Sequence, residues 1–163
     1  MPTAANVSTP LPHAGVHFPP PLIYAIGLGA GWLVDRHWRW AISGHPAGWR
    51  TITAAAFIVT WFLLMITAVM TFRRARTSII PNRPVSAFVE TGPYRFTRNP
   101  MYLSMTMLYI GLALTLDSWW PFVLLPVVFV IIDRAVIARE ERYLRSAFPI
   151  EYPAYCARVR RWM

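Results

Sequence analysis

Four apolar stretches, separated by short polar breaks, set the pattern of this chain. Leu22 to Val34 is uncharged but short, and the aromatic run His37-Trp38-Arg39-Trp40 extends it. Thr51 to Phe72 holds 22 uncharged residues. A helix of that length, at about 1.5 Å rise per residue, reaches roughly 33 Å, enough to cross a bilayer core. Met101 to Leu116 is a third stretch, and Ser118 to Ala138 a fourth, interrupted only by Asp133-Arg134. Asp117 alone separates these last two, so they read as a tight helical hairpin. The pattern predicts an all-α integral membrane fold of about four transmembrane helices, with a C-terminal hairpin and cytosolic C-terminal helices.

The flanks differ in kind. Residues 1–21 carry six prolines and neither arginine nor acid. Proline removes backbone donors and fixes φ, so this reads as an irregular Pro-rich tail. It lacks the positive n-region of a secretory signal. Residues 22–72 supply two N-terminal transmembrane helices, and residues 73–163 the connector, the hairpin and the C-terminal segment. The connector, 73–100, contains Pro81, Pro84, Gly92, Pro93 and Pro100 and cannot be one helix. In residues 139–163, Leu144, Phe148, Tyr152, Tyr155 and Val159 fall at helix-like spacings. Pro149 and Pro153 should break that run into short helices on the membrane face.

Composition sharpens the membrane reading. The chain is 56% hydrophobic and only 14% charged, against about 25% charged in ordinary globular domains. Its 16 basic residues are all arginine, and with 7 acids the net charge is +9. So apolar a basic protein is better explained by arginine-rich membrane flanks than by nucleic-acid binding. If all four stretches cross, 13 arginines lie on the side of the connector and C-terminus and three (Arg36, Arg39, Arg50) on the other. The positive-inside rule then puts both termini in the cytosol, and Trp38, Trp40, Trp119 and Trp120 at the outer interface. A bacterial inner membrane is the expected location. One cysteine, Cys156, rules out an intrachain disulfide or a cysteine metal cluster. The four histidines, His13, His17, His37 and His45, have no metal-like spacing and read as loop residues, so no metal is expected.

Two clusters could carry chemistry. Gly92-Pro93-Tyr94-Arg95 followed by Arg98-Asn99-Pro100-Met101-Tyr102 puts arginines, an amide and tyrosines at the mouth of a span. Asn99-Pro100 is a helix start, with Asn as N-cap and Pro at the first position. Its free N–H groups together with Arg98 favour an anionic group. The plainer alternative is a capped helix with positive-inside arginines. The second cluster, Arg139-Glu140-Glu141-Arg142, lies where the last span leaves the membrane. Its carboxylates point about 100° apart, so they cannot share one direction. Glu141 shares a face with Ile137 and Leu144 and is expected to turn toward the bundle, with Glu140 at the rim. Glu141 and Arg145 could also be a surface pair, and Asp133-Arg134 a structural pair. Gly27 and Gly31 form a small-xxx-small pair for helix contact, within the chain or in an oligomer.

Taken in order, Gly92-Pro93-Tyr94-Arg95, Arg98-Asn99-Pro100-Met101-Tyr102-Leu103, Glu140-Glu141-Arg142-Tyr143-Leu144, Glu151-Tyr152, Tyr155 and Arg158-Val159-Arg160-Arg161-Trp162 resemble the isoprenylcysteine carboxyl methyltransferase / phospholipid methyltransferase superfamily. The likeness covers roughly residues 77–163. Asn99, where eukaryotic members usually have His, resembles the bacterial branch. The resemblance implies S-adenosylmethionine bound on the cytosolic side, between the Arg98–Tyr102 helix start, the Glu140–Glu141 helix and the C-terminal segment. Gly92, Pro93, Tyr94, Arg98, Asn99, Pro100, Tyr102, Glu140, Glu141 and Tyr155 are the expected cofactor-binding residues. Glu141, Glu140 and Arg98 are the expected catalytic ones. A lipophilic or small acceptor, with a carboxylate, amine or thiol, would enter from the membrane lipid. The alternative is a non-catalytic accessory or partner-binding protein on the same fold.

Overall fold

The computed structural model describes residues 19–45, 48–76 and 88–162. Among these, all regular structure is helical. The expected irregular tail lies largely outside the described residues, as do residues 77–87 of the connector. Helix α1 runs from Pro20 to His37. It therefore claims two prolines assigned above to the tail. The first turn of a helix has no use for their missing N–H groups, and their fixed φ suits it. His37 closes this helix rather than sitting in a loop.

Helix α2 spans Gly48–Arg74 and buries only Ala54 and Ala68 of its 27 residues. Its remaining apolar side chains, Ile52, Val59, Phe62 and Leu63 among them, are exposed, as on a helix that meets lipid rather than water. A short 3-10 turn, Gly92–Arg95, leads to helix α3, Pro100–Thr115. Helix α4, Trp120–Ile131, passes into a π-helical turn, Ile132–Ile137, and then into α5, Ala138–Ala147. Gly48–Arg74 and the combined Trp120–Ala147 helix are long and apolar enough to cross a membrane, with mean hydropathy 2.3 and 2.2. Helix α6, Glu151–Arg158, follows a turn at Pro149. Pro153 does not break the segment as expected. It occupies the third position of α6, where an N–H would find no intrahelical acceptor.

The hairpin expectation needs a correction as well. The Leu116–Trp119 connection is tight, but α3 lies chiefly along α2, and α4 along α1. Glycine positions explain the pairing. A Cβ at Gly31 would stand 2.8 Å from the Pro121 backbone nitrogen, and one at Gly27 would run into Val128. Gly111 likewise lets α3 approach Ala54 and Ile58 of α2. The Gly27/Gly31 pair is thus used within the chain. Tyr24, Tyr102, Tyr109, Val128, Ile132, Val136, Ile137 and Tyr143 form the main core, and Tyr109 donates its buried hydroxyl to the Pro121 carbonyl at 2.8 Å.

At the end of the bundle away from the Pro100 helix start, a polar knot closes the α3–α4 connection. Asp117 accepts from the Ser43 and Gly44 amides and from Arg39, and lies 3.5 Å from Arg50. Asp35 accepts from Arg39, the Trp40 amide and Ser118. Trp40 packs between Trp119 and Trp120, and Trp120 donates its indole N–H to the Trp38 carbonyl. The four tryptophans expected at one interface do gather at one end.

Candidate functional site

Three segments meet at the opposite end, where the Arg98–Tyr102 helix start, the Glu140–Glu141 helix and the C-terminal segment converge. Asn99 does precede α3 with Pro100 at its first position, but the Asn99 side chain caps nothing. It donates instead to the Arg161 carbonyl at 2.9 Å. The Thr97 hydroxyl donates to the same oxygen at 3.1 Å, and the Arg98 amide to the Arg160 carbonyl at 3.1 Å. The C-terminal segment of residues 159–162 is thereby strapped over the start of α3.

The Arg161 side chain ties this strap to the long helix. Its Nε and Nη2 donate to both oxygens of Glu141, at 3.0 and 2.6 Å. Its Nη1 reaches both oxygens of Asp133 at 3.2 Å. Trp162 follows, stacking on Phe129 and donating its indole N–H to Asp133 at 3.3 Å. The hydrogen bond to Glu141, aided by both acids, holds the Arg161 guanidinium above its ordinary pKa. Arg98 completes the group, with Nη1 3.4 Å from Glu141 Oε1 and 2.6 Å from Cys156 Sγ. Two arginines therefore balance two acids.

The π turn makes this possible. Asp133 and Glu141 are eight positions apart, an advance that in a regular α-helix would turn them roughly 80° apart. One residue inserted by a π turn sets the later positions back by about 100° and brings both acids onto one face. The resulting pairing goes beyond the Asp133–Arg134 pair and replaces the Glu141–Arg145 one read above. Asp133 pairs most closely with Arg161, at 3.2 Å, and also keeps the expected pair with Arg134, whose 84% exposed side chain lies 3.8 Å away. Arg145 lies over the Tyr152 ring rather than pairing with Glu141. Glu141 is only 7% exposed and faces inward, as expected. Glu140, expected at the rim, is half-buried, and its Oε1 accepts from the Tyr102 hydroxyl at 2.6 Å. Behind it, the Tyr24 hydroxyl lies 3.2 Å from the Tyr102 carbonyl and 3.1 Å from Thr106.

The remaining expected residues form a neighbouring layer. Gly92 has φ +60° and packs on Thr71 of α2 so closely that a Cβ would meet its hydroxyl at 2.7 Å. Pro93 belongs to the same 3-10 turn. The Tyr94 carbonyl accepts from the buried Tyr155 hydroxyl at 2.6 Å, and burial raises the pKa of both phenols. Beside them lies an open cleft of about 410 Å³ lined by Glu90, Thr91, Gly92, Arg95, Tyr155, Arg158 and Val159. Glu90 and Arg158 pair there at 2.8 Å.

The structure thus joins Arg98, Asn99 and Glu141 in one network, Tyr102 and Glu140 in a second, and Gly92 and Tyr155 at the cleft, with Tyr94 buried behind it against Phe72. Sequence reasoning missed Arg161 as the partner that Asp133 and Glu141 share, because a regular helical wheel separates the two acids. One feature bears on S-adenosylmethionine. Arg98 Nε, like Arg50 Nε at the opposite end, is buried without a hydrogen-bond partner among the described residues. A buried donor left unsatisfied is costly, and a ligand carboxylate is one acceptor that would satisfy it. The network also carries both signs of charge, as the amino-acid end of that cofactor requires, so the residues fit the group.

A family model described as phospholipid methyltransferase matches residues 49–150. The cobalt-zinc-cadmium resistance protein CzcN of Cupriavidus metallidurans is 29% identical over 71% of this chain and 53% of its own length. The nickel-cobalt-cadmium resistance protein NccN of Alcaligenes xylosoxydans xylosoxydans is 29% identical over 72% of this chain and 54% of its own. This chain therefore spans about half the length of those two relatives. An uncharacterized protein of Haemophilus influenzae is 36% identical over 39% of this chain and 100% of its own. No solved structure matches. The family match covers more than half of the sequence, and the chain belongs to the phospholipid methyltransferase family.

Proposed function

We propose that the protein is a membrane-embedded methyltransferase that moves a methyl group from S-adenosylmethionine to a lipophilic or small acceptor. The observation that carries this reading is the buried, unsatisfied Arg98 Nε beside Glu141. The amino-acid end of the cofactor bears a carboxylate and an ammonium, so it adds no net charge to a network already balanced. Arg98 and the α3 start would take the carboxylate. Glu141 would take the ammonium. A carboxylate has about four acceptor positions, and one on Oε2 remains beyond the contacts from Arg161 and Arg98. Tyr155, which lines the cleft, is the aromatic surface for the adenine end.

When bound, the cofactor supplies an electrophilic methyl group on sulfur. The protein's task is then alignment and exclusion of water. Glu140 is the proton acceptor for an amine or thiol, since its Oε2 has no partner among the described residues while Asp133 and Glu141 are engaged. The described histidines, His37 and His45, lie at the other end of the bundle, and the chain has no lysine. A carboxylate acceptor would need no base. Given four spans, the 13-to-3 arginine split supports this site and both termini on the cytosolic side, in a bacterial inner membrane. The acceptor would then reach the site from membrane lipid.

A second reading, a non-catalytic accessory protein, draws on the resistance names of CzcN and NccN. Among the described residues, no group of three or more His, Cys, Asp or Glu could hold a metal ion, so any such role would run through a partner. Purified protein incubated with methyl-labelled S-adenosylmethionine and a bacterial lipid extract separates the two. Label in the organic phase, lost in Arg98→Ala, supports the enzyme. No label in any extract fraction favours the accessory.

A further inference from the structure

Arg161 and Asp133 lie outside the residues that the reading above assigns to cofactor or acceptor, yet they hold the most heavily bonded side-chain group at that end of the molecule. Arg161 engages four carboxylate oxygens. Its backbone carbonyl accepts from Thr97 and Asn99. It thus links α3, the π turn, α5 and the strap at one point. A surface ion pair would not require this. Exposed pairs are worth little and seldom justify an irregular helix, whereas π turns recur at functional sites.

Glu141 shows what the arrangement accomplishes. Without Arg161 its side chain, almost entirely buried, would keep one cation, Arg98, at 3.4 Å. It would then close on Arg98, the group expected to hold the ligand carboxylate. With Arg161 bidentate on one edge, Glu141 is fixed in orientation and Arg98 keeps its Nε unspent. Asp133 in turn anchors Arg161 from the other side, and Trp162 on Phe129 fixes the strap that carries it.

We infer that Arg161, anchored by Asp133 across the π turn, is a positioning residue. It orients Glu141 toward the cationic amino group of an amino-acid-bearing ligand and keeps Arg98 available for its carboxylate. The inference rests on the cofactor reading and adds a device to it: the strap and the π turn build the recognition site for the amino-acid end, separately from the adenine end.

Two probes that differ in that end test it. S-adenosylhomocysteine carries the amino-acid group, and 5′-methylthioadenosine lacks it. Calorimetric titration of the full chain in detergent, unmodified and as Arg161→Met, Arg161→Lys and Asp133→Asn, needs no turnover. The expected result is at least a tenfold loss of S-adenosylhomocysteine affinity in Arg161→Met, with methylthioadenosine unchanged within twofold. Arg161→Lys should recover part of the loss, and Asp133→Asn should fall between. Equal weakening of both probes, or of neither, would make Arg161 a structural tie and overturn the inference. If Arg161→Met does not fold, the lysine and asparagine variants carry the same comparison. Absence of binding by the unmodified chain to both probes would overturn the cofactor reading itself, and this inference with it.

Discussion

Replacing Gly31 by alanine tests the packing of α1 on α4 against an internal control. An alanine Cβ at 31 would lie 2.8 Å from the Pro121 nitrogen, 2.9 Å from its Cα and 2.9 Å from its Cγ. Two of these are backbone atoms in the first turn of α4, so α1 must move outward. Overpacking of this kind costs about 1–3 kcal/mol. Gly29 is two residues away on the same helix, and an alanine there meets nothing within 4 Å. Both substitutions gain the same helix propensity, about 1 kcal/mol, so their difference isolates the clash. For a chain of this size 1 kcal/mol corresponds to roughly 2–4 °C in melting temperature. The Gly31→Ala protein should therefore melt about 2–12 °C below Gly29→Ala. Circular-dichroism melts of both variants in one mild detergent provide the measurement. If Gly31→Ala melts at or above Gly29→Ala, then α1 does not lie on α4 as described.

Three other outcomes are expected. Glu141→Gln should weaken S-adenosylmethionine binding about tenfold or more, while Glu140→Gln should leave binding intact and lower turnover with an amine or thiol acceptor; titration and a methyl-transfer assay separate the two. At the opposite end, burial pushes the Asp117 pKa up, but the Ser43 and Gly44 hydrogen bonds and Arg50 outweigh it and hold the carboxyl below its usual value. Its stabilisation is then present above the ordinary carboxylate pKa and lost as pH falls through the lower folded value, so the melting gap between wild type and Asp117→Asn should close on acidification below about pH 4. Cys156, the sole thiol, should resist a membrane-impermeant thiol reagent in intact cells; efficient labelling without permeabilisation would reverse the proposed orientation.

Hydrophobic patterning reached most of the architecture. The apolar stretches became α1 to α4 with ends shifted by a few residues, because helices extend as far as their termini can be satisfied. Pro20 and Pro153 could be absorbed for that reason. Partner choice was less legible. Nothing in a run of apolar residues says that α3 lies along α2; the Gly27/Gly31 pair hinted only at a close helix contact, which the fold makes between α1 and α4. At the candidate site, the convergence of three segments followed from motifs in fixed order. The joint pairing of Asp133 and Glu141 with Arg161 did not, because it depends on a π turn that changes the helical period without a sequence mark. Asn99 illustrates the other limit. Its type and place predict a cap, yet the tertiary acceptor at the Arg161 carbonyl takes its amide instead.

The central claim is that Arg98 and its neighbours hold the amino-acid end of S-adenosylmethionine. Calorimetric titration of the detergent-purified chain with that cofactor tests it most directly, alongside Arg98→Ala and Arg74→Ala. The account predicts saturable binding by the unmodified chain, unchanged in Arg74→Ala and at least tenfold weaker in Arg98→Ala. Failure of the folded, unmodified protein to bind at millimolar cofactor, or equal losses in both variants, would contradict it.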